Sequence, residues 1–298
     1  MSNTQEDLHI RPFTVDDAAW AIDALMARGL NGCECAFANM FLWRHYSGNV
    51  IAEIGDSLFF ASNDPTLTFS TPIKGDFKTG IERLKAYTRK QGIPLQFYGS
   101  KKNLTEELEH HFPGEFTFKP SESDFDYLYN TQDLINLSGR AYHGKRNHIA
   151  AFSKQYNWEY APITDDDIGD VLAMAEEWYD GRDVDEQLKA EQDGLEEILR
   201  HREKLQVKGG LLRVDGQVVA FTLGAPISGV EFDIMVEKAL PKYNGAYATI
   251  NREFAAHELS EFLYINREND MGAEGVRRAK RSYRPIELIE KFICVERR

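Results

Sequence analysis

The sequence predicts an α/β (α+β) protein built from two similar domains, each with a mixed central sheet flanked by helices. Its 298 residues suffice for two domains of ordinary size. A short segment at residues 12–17 recurs at residues 162–167, which indicates an internal duplication. In both halves, stretches of alternating apolar residues are interleaved with stretches of helical spacing, the pattern of mixed α/β domains.

The repeated segment predicts the end of a strand followed by the start of a helix. Thr14 and Thr164 are suited to cap the free backbone amides of a helix N-terminus. Asp17 and Asp167, three residues later, complete a capping box and complement the helix dipole. Each half is therefore expected to begin with strand, cap and helix.

The second half shows its elements in order. The Asp215-Gly216 pair predicts a two-residue hairpin turn, because it supplies the positive φ angles of a primed turn. The predicted strands are 158–162, 210–214, 218–225, 230–237, 262–266 and a closing region at 286–295, and the predicted helices are 167–179, an acidic stretch to 205, 245–259 and 273–281. The first half is a looser copy, with a hairpin at 50–54 and 57–61 and a strand at 95–98 between two helices. We expect domains at 1–130 and 158–298, joined by a basic helical connector at 131–157, with the site in the second domain.

Charge and composition exclude several classes of function. A formal net charge of −13 disfavours a general binder of DNA or of anionic membranes, although residues 138–154 and 276–286 carry local clusters of Lys and Arg. No stretch is apolar enough to span a membrane, and the start at Met1 lacks the profile of a signal peptide, so we expect a cytoplasmic protein. Three cysteines without matching histidines give no support for a disulfide framework or a metal site.

The segment from Val230 to Glu237 predicts a strand with carboxylates on one face. Strict alternation places Glu231, Asp233 and Glu237 together, opposite Val230, Phe232, Ile234 and Val236. One interpretation is an antiparallel strand with a wet face. The other is a cleft in which a carboxylate with a raised pKa accepts a proton from a nucleophile.

Two polar segments are further candidates for ligand binding. Residues 264–272 place an amide, a cation and acids where a predicted strand ends, the usual ligand position in open α/β sheets. Residues 142–148 contain Lys145 and Arg146, which suit phosphate, and are followed by helically spaced apolar residues. A solvated loop and a solvated connector are the alternative interpretations. Neither a phosphate loop nor a serine elbow is present.

The element order resembles the GNAT acyltransferase fold, present twice. The segments that carry a closer resemblance are Tyr142-His143-Gly144-Lys145-Arg146-Asn147-His148, Phe232-Asp233 with Glu237-Lys238-Ala239, Gly245-Ala246-Tyr247 with Ile250-Asn251-Arg252-Glu253-Phe254, residues 264–272, and Arg278-Ala279-Lys280-Arg281-Ser282-Tyr283-Arg284-Pro285. Together they resemble a bacterial family whose domain also forms the soluble C-terminal part of phosphatidylglycerol lysyltransferases. The resemblance spans nearly the whole chain.

This resemblance implies a tandem GNAT fold related to Fem-type aminoacyltransferases, with aminoacyl-tRNA as donor. The implied function is transfer of an acyl or aminoacyl group, from aminoacyl-tRNA or acyl-CoA as co-substrate, to an amine or hydroxyl on a small molecule or lipid head group. No tightly bound cofactor is implied. The implied catalytic residues are Asp233, Glu237 and Lys280, and the implied substrate-binding residues are Tyr142, Lys145, Arg146, Asn147, His148, Asn251, Arg252, Asn266, Arg267, Glu268, Asp270 and Tyr283.

Two departures from the family pattern leave alternatives open. Val236 stands where the lysyltransferases have an Arg three residues after the strand Asp. The glycine-rich coenzyme A loop is reduced to Tyr243-Asn244-Gly245-Ala246. A GNAT-like pair that only binds a small ligand, or a tRNA-binding module, is therefore the alternative to a transferase.

Overall fold

The computed structural model describes residues 7–63, 65–180, 182 and 185–297. The first six residues, on which the prediction about a signal peptide partly rests, lie outside this part. The strands are β1 (His9–Pro12), β2 (Asn49–Ile54), β3 (Ser57–Ser62), β4 (Thr68–Lys74), β5 (Gln96–Ser100), β6 (Phe116–Pro120), β7 (Asp126–Asn130), β8 (Trp158–Pro162), β9 (Lys208–Val214), β10 (Gln217–Pro226), β11 (Glu231–Ala239), β12 (Tyr264–Asn266), β13 (Glu287–Ile289) and β14 (Lys291–Glu296). The α-helices are α1 (Ala18–Arg28), α2 (Phe37–Leu42), α3 (Phe77–Gln91), α4 (Glu106–His111), α5 (Thr131–Asn136), α6 (His143–Gln155), α7 (Ile168–Tyr179), α8 (Glu186–Arg200), α9 (Ala246–Glu258) and α10 (Glu274–Arg281).

Two seven-stranded sheets organise these elements, and both are mixed sheets, as the sequence predicts for each half. The first sheet has the order β1-β2-β3-β4-β5-β14-β6, and the second, written from the opposite edge, has the order β8-β9-β10-β11-β12-β7-β13. Each sheet contains one parallel pair, β4 with β5 and β11 with β12, at the same place in its order. The matching orders support the internal duplication.

The two sheets exchange one strand each. β7 pairs with β12 and β13 in the second sheet, although it precedes residue 131. β14, at the end of the described chain, pairs with β5 and β6 in the first sheet. The predicted closing region at 286–295 is therefore wrong as a single unit, because it divides into two strands that belong to different sheets. The domain boundaries at 130 and 158 remain a prediction.

The predicted capping boxes are present in both halves. The Thr14 amide donates to Asp17 over 2.8 Å, and the Thr164 amide donates to Asp167 over 2.9 Å. Each box closes a single 3-10 turn that leads into α1 or α7. The repeated motif therefore starts the first long helix of each half.

A shared apolar core joins the halves. The largest cluster of buried residues includes side chains of α1 and α2 together with side chains of α7, α8, β10 and β11. α2 lies against α8 at Gly194, where a Cβ atom would come within 2.9 Å of the Leu42 carbonyl oxygen. Such close backbone approach fixes the N-terminal half against the elements that follow β8.

A β-bulge in β11 corrects the predicted grouping of its carboxylates. Leu223 of β10 pairs with Val236 and Gly224 pairs with Ile234, so Met235 is the extra residue. A bulge reverses the alternation of side chains beyond it. Glu237 therefore lies on the α9 face with Ile234, opposite Asp233, and the prediction that three carboxylates share a face is wrong for Glu237.

None of the helices in the described part of the chain is both long and apolar enough to cross a membrane.

Candidate functional site

A cavity opens where the parallel strands β11 and β12 separate. The two strands pair only from Glu231 to Asp233 on β11, and β12 ends at Asn266. Beyond this point a cavity of about 630 Å³ lies between the strand ends, α6, the start of α9 and α10. We call it the β11–β12 cavity; its polar and aromatic lining includes Lys145, His148, Trp178, Glu191, Glu237, Lys238, Tyr247, Arg267, Glu268, Lys280 and Tyr283.

An ion pair braces one wall of the β11–β12 cavity. Arg267 donates to Glu237 over 2.8 Å, and the Asn251 amide donates to the other oxygen of Glu237 over 2.9 Å. The second terminal nitrogen of Arg267, Nη1, is buried without a hydrogen-bond partner among the described residues. Because both oxygens of Glu237 are engaged, this side chain orients Arg267, and Arg267 keeps a donor for a ligand.

Lys145 lies at the same wall, on the face of an aromatic ring. Its ammonium nitrogen is 3.8 Å from the centre of the Tyr283 ring, and the Arg267 guanidinium is 4.7 Å from the same centre. Burial and the nearby Arg267 charge lower the pKa of Lys145 to about 8, against the opposing effect of Glu237. The amine is therefore partly neutral near physiological pH.

Lys280 bridges the backbone that leaves β12. Its ammonium donates to the carbonyl oxygens of Arg267 and Asn269. Burial lowers the pKa of Lys280, Glu268 opposes this effect, and Arg267 adds to it. The side chain thus fixes the turn that carries Glu268 and adds a cation to the cavity.

Glu268 occupies the most constrained position of the site. Its φ of 54° lies in the left-handed region, which is uncommon for a residue other than glycine. The Asn39 amide of α2 donates to Glu268 and, over 3.2 Å, to Asp233. Burial and the neighbouring Asp126 charge raise the pKa of Glu268 to about 8, although Lys280 lowers it.

Asp233 completes the carboxylate pair. It is fully buried, and its Oδ1 atom has no hydrogen-bond partner in the described part of the chain. Burial, then the Glu268 charge, raises the pKa of Asp233 well above its usual range. Two adjacent buried carboxyl groups that resist ionisation hold a proton more tightly than either would alone.

A second cavity, of about 440 Å³, reaches Glu268 from the first sheet. We call it the Trp43 cavity; it is lined mainly by β3, β4, β5, β14 and α2, and by Glu34, Trp43, Tyr46, Tyr98, Asp124, Glu268, Asn269, Met271 and Lys291 among others. Glu268 lines both cavities. Glu268 therefore lies between two cavities, one lined mainly by the first half of the molecule and the other mainly by the second half.

A buried ionic cluster supports the floor of the Trp43 cavity. The Lys291 ammonium of β14 lies 2.7 Å from Asp126, 2.9 Å from Glu34 and 3.0 Å from the Cys33 sulfur. The ligand atoms of Cys33, Glu34 and Asp126 lie within 4.8 Å of one another, a spacing that could suit a metal ion. The ammonium lies within bonding distance of all three, so it occupies the position that an ion would take.

The cluster continues to the strand that carries Asp233. The Asn266 amide donates over 3.0 Å to both Asp126 and Glu231, and its oxygen accepts the Glu268 amide over 2.8 Å. Burial, followed by the Asp126 charge, raises the pKa of Glu231 to about 7, while Asn266 opposes this. Asn266 thus links the buried cluster to the backbone of Glu268, and it is not among the residues that line either cavity.

The structure brings some of the predicted site residues together and separates others. Those that line the β11–β12 cavity are Lys145, His148, Glu237, Arg267, Glu268, Lys280 and Tyr283. Those that lie behind the cavity walls, in buried contacts, are Tyr142, Asp233, Asn251, Asn266 and Asp270. Those that lie outside the cavity lining and bond to residues that do not line it are Arg146, Asn147 and Arg252.

Three of these outlying residues have clear structural contacts. The Tyr142 hydroxyl donates to the Tyr283 carbonyl over 3.0 Å. Arg146 donates to the carbonyl oxygens of Leu137 and Gly139, beyond the end of α5. Asp270 accepts from Tyr127 over 2.6 Å and from Arg277 over 2.8 Å, which closes the turn after β12.

One of these contacts joins the two basic stretches of the sequence, residues 138–154 and 276–286, which supply α6 and α10 to the walls of the β11–β12 cavity. Tyr142 binds the backbone of Tyr283, and Tyr129 binds the Lys280 carbonyl over 2.8 Å. The exposed arginines of the two segments are Arg140, Arg278, Arg281 and Arg284. Residues far apart in the sequence therefore contribute positive charge to α6, α10 and the turns beside them.

Several residues of the site were not anticipated from the sequence. Asn39 lies in α2, Glu34 in the 3-10 turn before α2, and Lys291 in β14. Lys238 pairs with Glu191 over 2.5 Å on the far wall of the β11–β12 cavity. Isolated polar residues of this kind carry no motif. The one sequence signal that could have drawn attention to a buried charge is Lys291, which stands within the predicted strand region at 286–295.

The fold and this site define a class of protein. With their matching strand orders, the two halves repeat one mixed α/β fold, as the sequence predicts. L-PGS from Bacillus licheniformis aligns with a TM-score of 0.64 at 16% identity over 92% of this chain and 90% of that one. FemX aligns with a TM-score of 0.57 at 10% identity over 96% of each chain. These two likenesses concern the fold.

Sequence comparison then gives the family. The family described as phosphatidylglycerol lysyltransferase, C-terminal, matches residues 28–295, and the chain belongs to it. A conserved protein of unknown function from Bacteroides thetaiotaomicron shares 34% identity with a TM-score of 0.91, over 98% of this chain and all of that one. An uncharacterised protein of Mycoplasmoides gallisepticum is 25% identical over 178 residues, which are 58% of this chain. That match spans 56%, about half, of the Mycoplasmoides protein.

Proposed function

We propose that this protein transfers an aminoacyl group from aminoacyl-tRNA to an amine or hydroxyl acceptor. The observation that carries the proposal is the position of Glu268, a carboxylate with a pKa of about 8 that lines two cavities. A donor in one cavity and an acceptor in the other would meet at one proton-accepting group. Membership of the lysyltransferase family supports the same chemistry.

The charge around the β11–β12 cavity favours it as the donor side. Lys145, Arg267 and Lys280 line the cavity, and the exposed Arg278 and Arg281 lie on α10, the helix that forms one of its walls. Phosphates of a tRNA acceptor end are suited to such a rim, and the free donor of Arg267 is available to them. The acidic surface elsewhere would confine RNA to this opening.

The reaction needs one proton carrier and one group that stabilises negative charge. The ionised Glu268 carboxylate takes a proton from the acceptor N–H or O–H as the acceptor attacks the ester carbonyl carbon. The carbonyl then carries negative charge, which the Lys280 ammonium and the β11 amides beyond Asp233 can stabilise, because no strand pairs with them on the β12 side. As the C–O bond breaks, the ribose oxygen takes the proton back from Glu268.

The start of α9 supports tRNA over coenzyme A as donor. A Cβ atom on Gly245 would lie 2.4 Å from the His148 carbonyl oxygen, so α6 covers this glycine closely. The Ala246 amide is already bonded to the Tyr243 carbonyl over 3.1 Å. A pyrophosphate needs free amides and open approach at a helix N-terminus, and both are restricted here.

The test is a single-turnover assay with tRNA charged separately with each labelled amino acid. Hydroxylamine serves as a small acceptor, and the label transferred to it is counted. We expect transfer from one or a few aminoacyl-tRNAs, and we expect Lys280→Met to reduce the rate at least tenfold. Lys242→Met is the matched control, because Lys242 is exposed on the turn before α9 and pairs with Glu177.

Three outcomes would contradict the proposal. Transfer from acyl-CoA but from no aminoacyl-tRNA would make the protein an ordinary acyltransferase. Binding of tRNA without transfer would make it a binding module. Equal rates for Lys280→Met and the Lys242→Met control would show that Lys280 takes no part in the reaction.

A further inference from the structure

The charges that line the Trp43 cavity favour a cationic ligand. Its acids are Glu34, Asp124 and Glu268, and among the described residues of its lining the one basic side chain is Lys291. The Lys291 ammonium is already engaged by Asp126 and Glu34. An anionic ligand would therefore find no free cation in the described lining, whereas a cation would meet carboxylates.

Aromatic rings form much of the same wall. Trp43 and Tyr46 meet edge to face with ring centres 6.1 Å apart, and Phe60, Phe69 and Tyr98 also line the cavity. Ring faces attract ammonium groups, and a cage of rings with a carboxylate is a general solution for binding organic cations. The volume of about 440 Å³ suits a small organic molecule.

Glu34 supplies the buried carboxylate at the base. Its side chain folds back over Gly32, which has a φ of 96°. Because glycine has no Cβ atom, the carboxylate fits there; a Cβ atom on this residue would lie 2.6 Å from Glu34 Oε2. One oxygen lies 2.9 Å from Lys291, while Oε1 is buried without a hydrogen-bond partner in the part of the chain that the structure describes. A buried acceptor without a partner costs free energy that a bound donor would recover.

We propose that the Trp43 cavity binds the acceptor as an organic ammonium, held by Glu34 and the aromatic wall with its nitrogen toward Glu268. The inference rests on the proposed function and selects an amine over a hydroxyl acceptor. The bound R–NH3+ gives one proton to Glu268, and its nitrogen forms a C–N bond with the ester carbonyl carbon. The C–O bond breaks, the ribose oxygen takes the proton from Glu268, and the second proton leaves the new amide for solvent.

The experiment measures binding, without turnover, of three matched probes to the full chain. The probes are 2-phenylethylamine, 2-phenylethanol and phenylacetate, which share one ring and differ in charge. NMR of the Trp43 indole N–H reports occupancy of this cavity. We expect the amine to bind at least tenfold more tightly than the alcohol, and phenylacetate not to bind.

Variants separate a specific role of Glu34 from a general loss of folding. Glu34→Gln should remove most of the preference for the amine while the alcohol still binds. Trp43→Leu, away from the ionic cluster, should weaken the binding of both the neutral and the cationic probe. Because this variant lacks the indole reporter, calorimetry measures the binding. Glu290→Gln is the control, because Glu290 is adjacent in sequence to Lys291 and pairs with the half-exposed Lys101 outside the cavity.

The outcomes distinguish this inference from the proposed function. Equal affinity for amine and alcohol, or an unchanged preference in Glu34→Gln, would overturn the amine acceptor and leave transfer from tRNA untouched. A clear amine preference without any transfer from aminoacyl-tRNA would overturn the proposed function and keep a cation-binding cavity.

Discussion

At the scale of single residues, the site depends on one side-chain amide that donates hydrogen bonds to two carboxyl groups. Asn39 donates to both Asp233 and Glu268, and the three side chains come from α2, β11 and the turn after β12. Without that donor, two buried carboxyl groups would face each other with less compensation for ionisation. The N-terminal half therefore contributes a residue to the site in the C-terminal half.

Replacing Glu268 should make the protein more stable at high pH. In the folded protein the pKa of Glu268 is raised to about 8 from an ordinary 4.5, so wild-type stability falls as pH rises through this window. Glu268→Gln removes the ionisation, and we expect a gain of a few kcal/mol at pH 9 that disappears toward pH 4.5. Urea unfolding at several pH values measures the difference. Glu203→Gln, at a side chain that is 88% exposed, should show no such trend.

Asn39→Leu should destabilise the protein more at pH 9 than at pH 5. Its amide stabilises carboxylates that are more ionised at high pH, and we expect a loss of about 2–3 kcal/mol at pH 9. Chemical unfolding at both pH values checks this. Asn103→Leu is the matched control, because the Asn103 amide donates to the Asn31 carbonyl over 2.7 Å and to no carboxylate. An equal dependence on pH in both variants would contradict the role given to Asn39.

At the scale of elements, β14 connects the first sheet to the site. It lies between β5 and β6, and its first residue, Lys291, is 1% exposed and paired with Asp126 and Glu34. A buried ion pair is costly to break, because the remaining partner keeps an uncompensated charge. The strand therefore holds the floor of the Trp43 cavity as well as the sheet.

Lys291→Met should cost about 3–5 kcal/mol of stability near neutral pH. The loss should shrink as pH falls, because burial raises the pKa of Glu34 and protonation then removes the charge left without its partner. Lys101→Met, at a half-exposed ion pair with Glu290, should cost less than about 1 kcal/mol. Thermal unfolding of the two variants across pH 4 to 8 makes the comparison, and similar losses for both would refute the role given to the buried cluster.

Local elements could be predicted from the sequence, but their pairing could not. The capping boxes, the Asp215-Gly216 turn and strand β8 follow from short-range preferences and match the structure. The exchange of β7 and β14 depends on pairing between distant segments, which no local pattern records. The bulge at Met235 was missed because the apolar alternation continues through it in the sequence, although the backbone does not. Asn39 carries no motif.

At the scale of the whole molecule, the strand exchange makes each sheet depend on both halves of the chain. The first sheet needs β14 from the end of the described chain, and the second needs β7 from before residue 131. The largest apolar cluster also spans both halves. Because the sheets and the core are shared, we expect the protein to unfold as one cooperative unit, and not as two domains that unfold independently.

Fragments cut after residue 130 should not fold separately. Residues 1–130 lack the strand between β5 and β6, and residues 131–298 lack the strand between β12 and β13. We expect each fragment alone to show no cooperative thermal transition. Circular dichroism during heating tests this. A cooperative transition in residues 131–298 alone would show that the exchange is not needed for folding.

The central claim is that Glu268 accepts the proton during transfer between the two cavities. Its most direct test is the pH dependence of single-turnover transfer from aminoacyl-tRNA to hydroxylamine, for wild type and Glu268→Gln. Because the base must be ionised, we predict that the wild-type rate rises with pH and levels off above about 8, while Glu268→Gln is at least a hundredfold slower and lacks this step. A Glu268→Gln variant with the rate and pH profile of the wild type would contradict the claim.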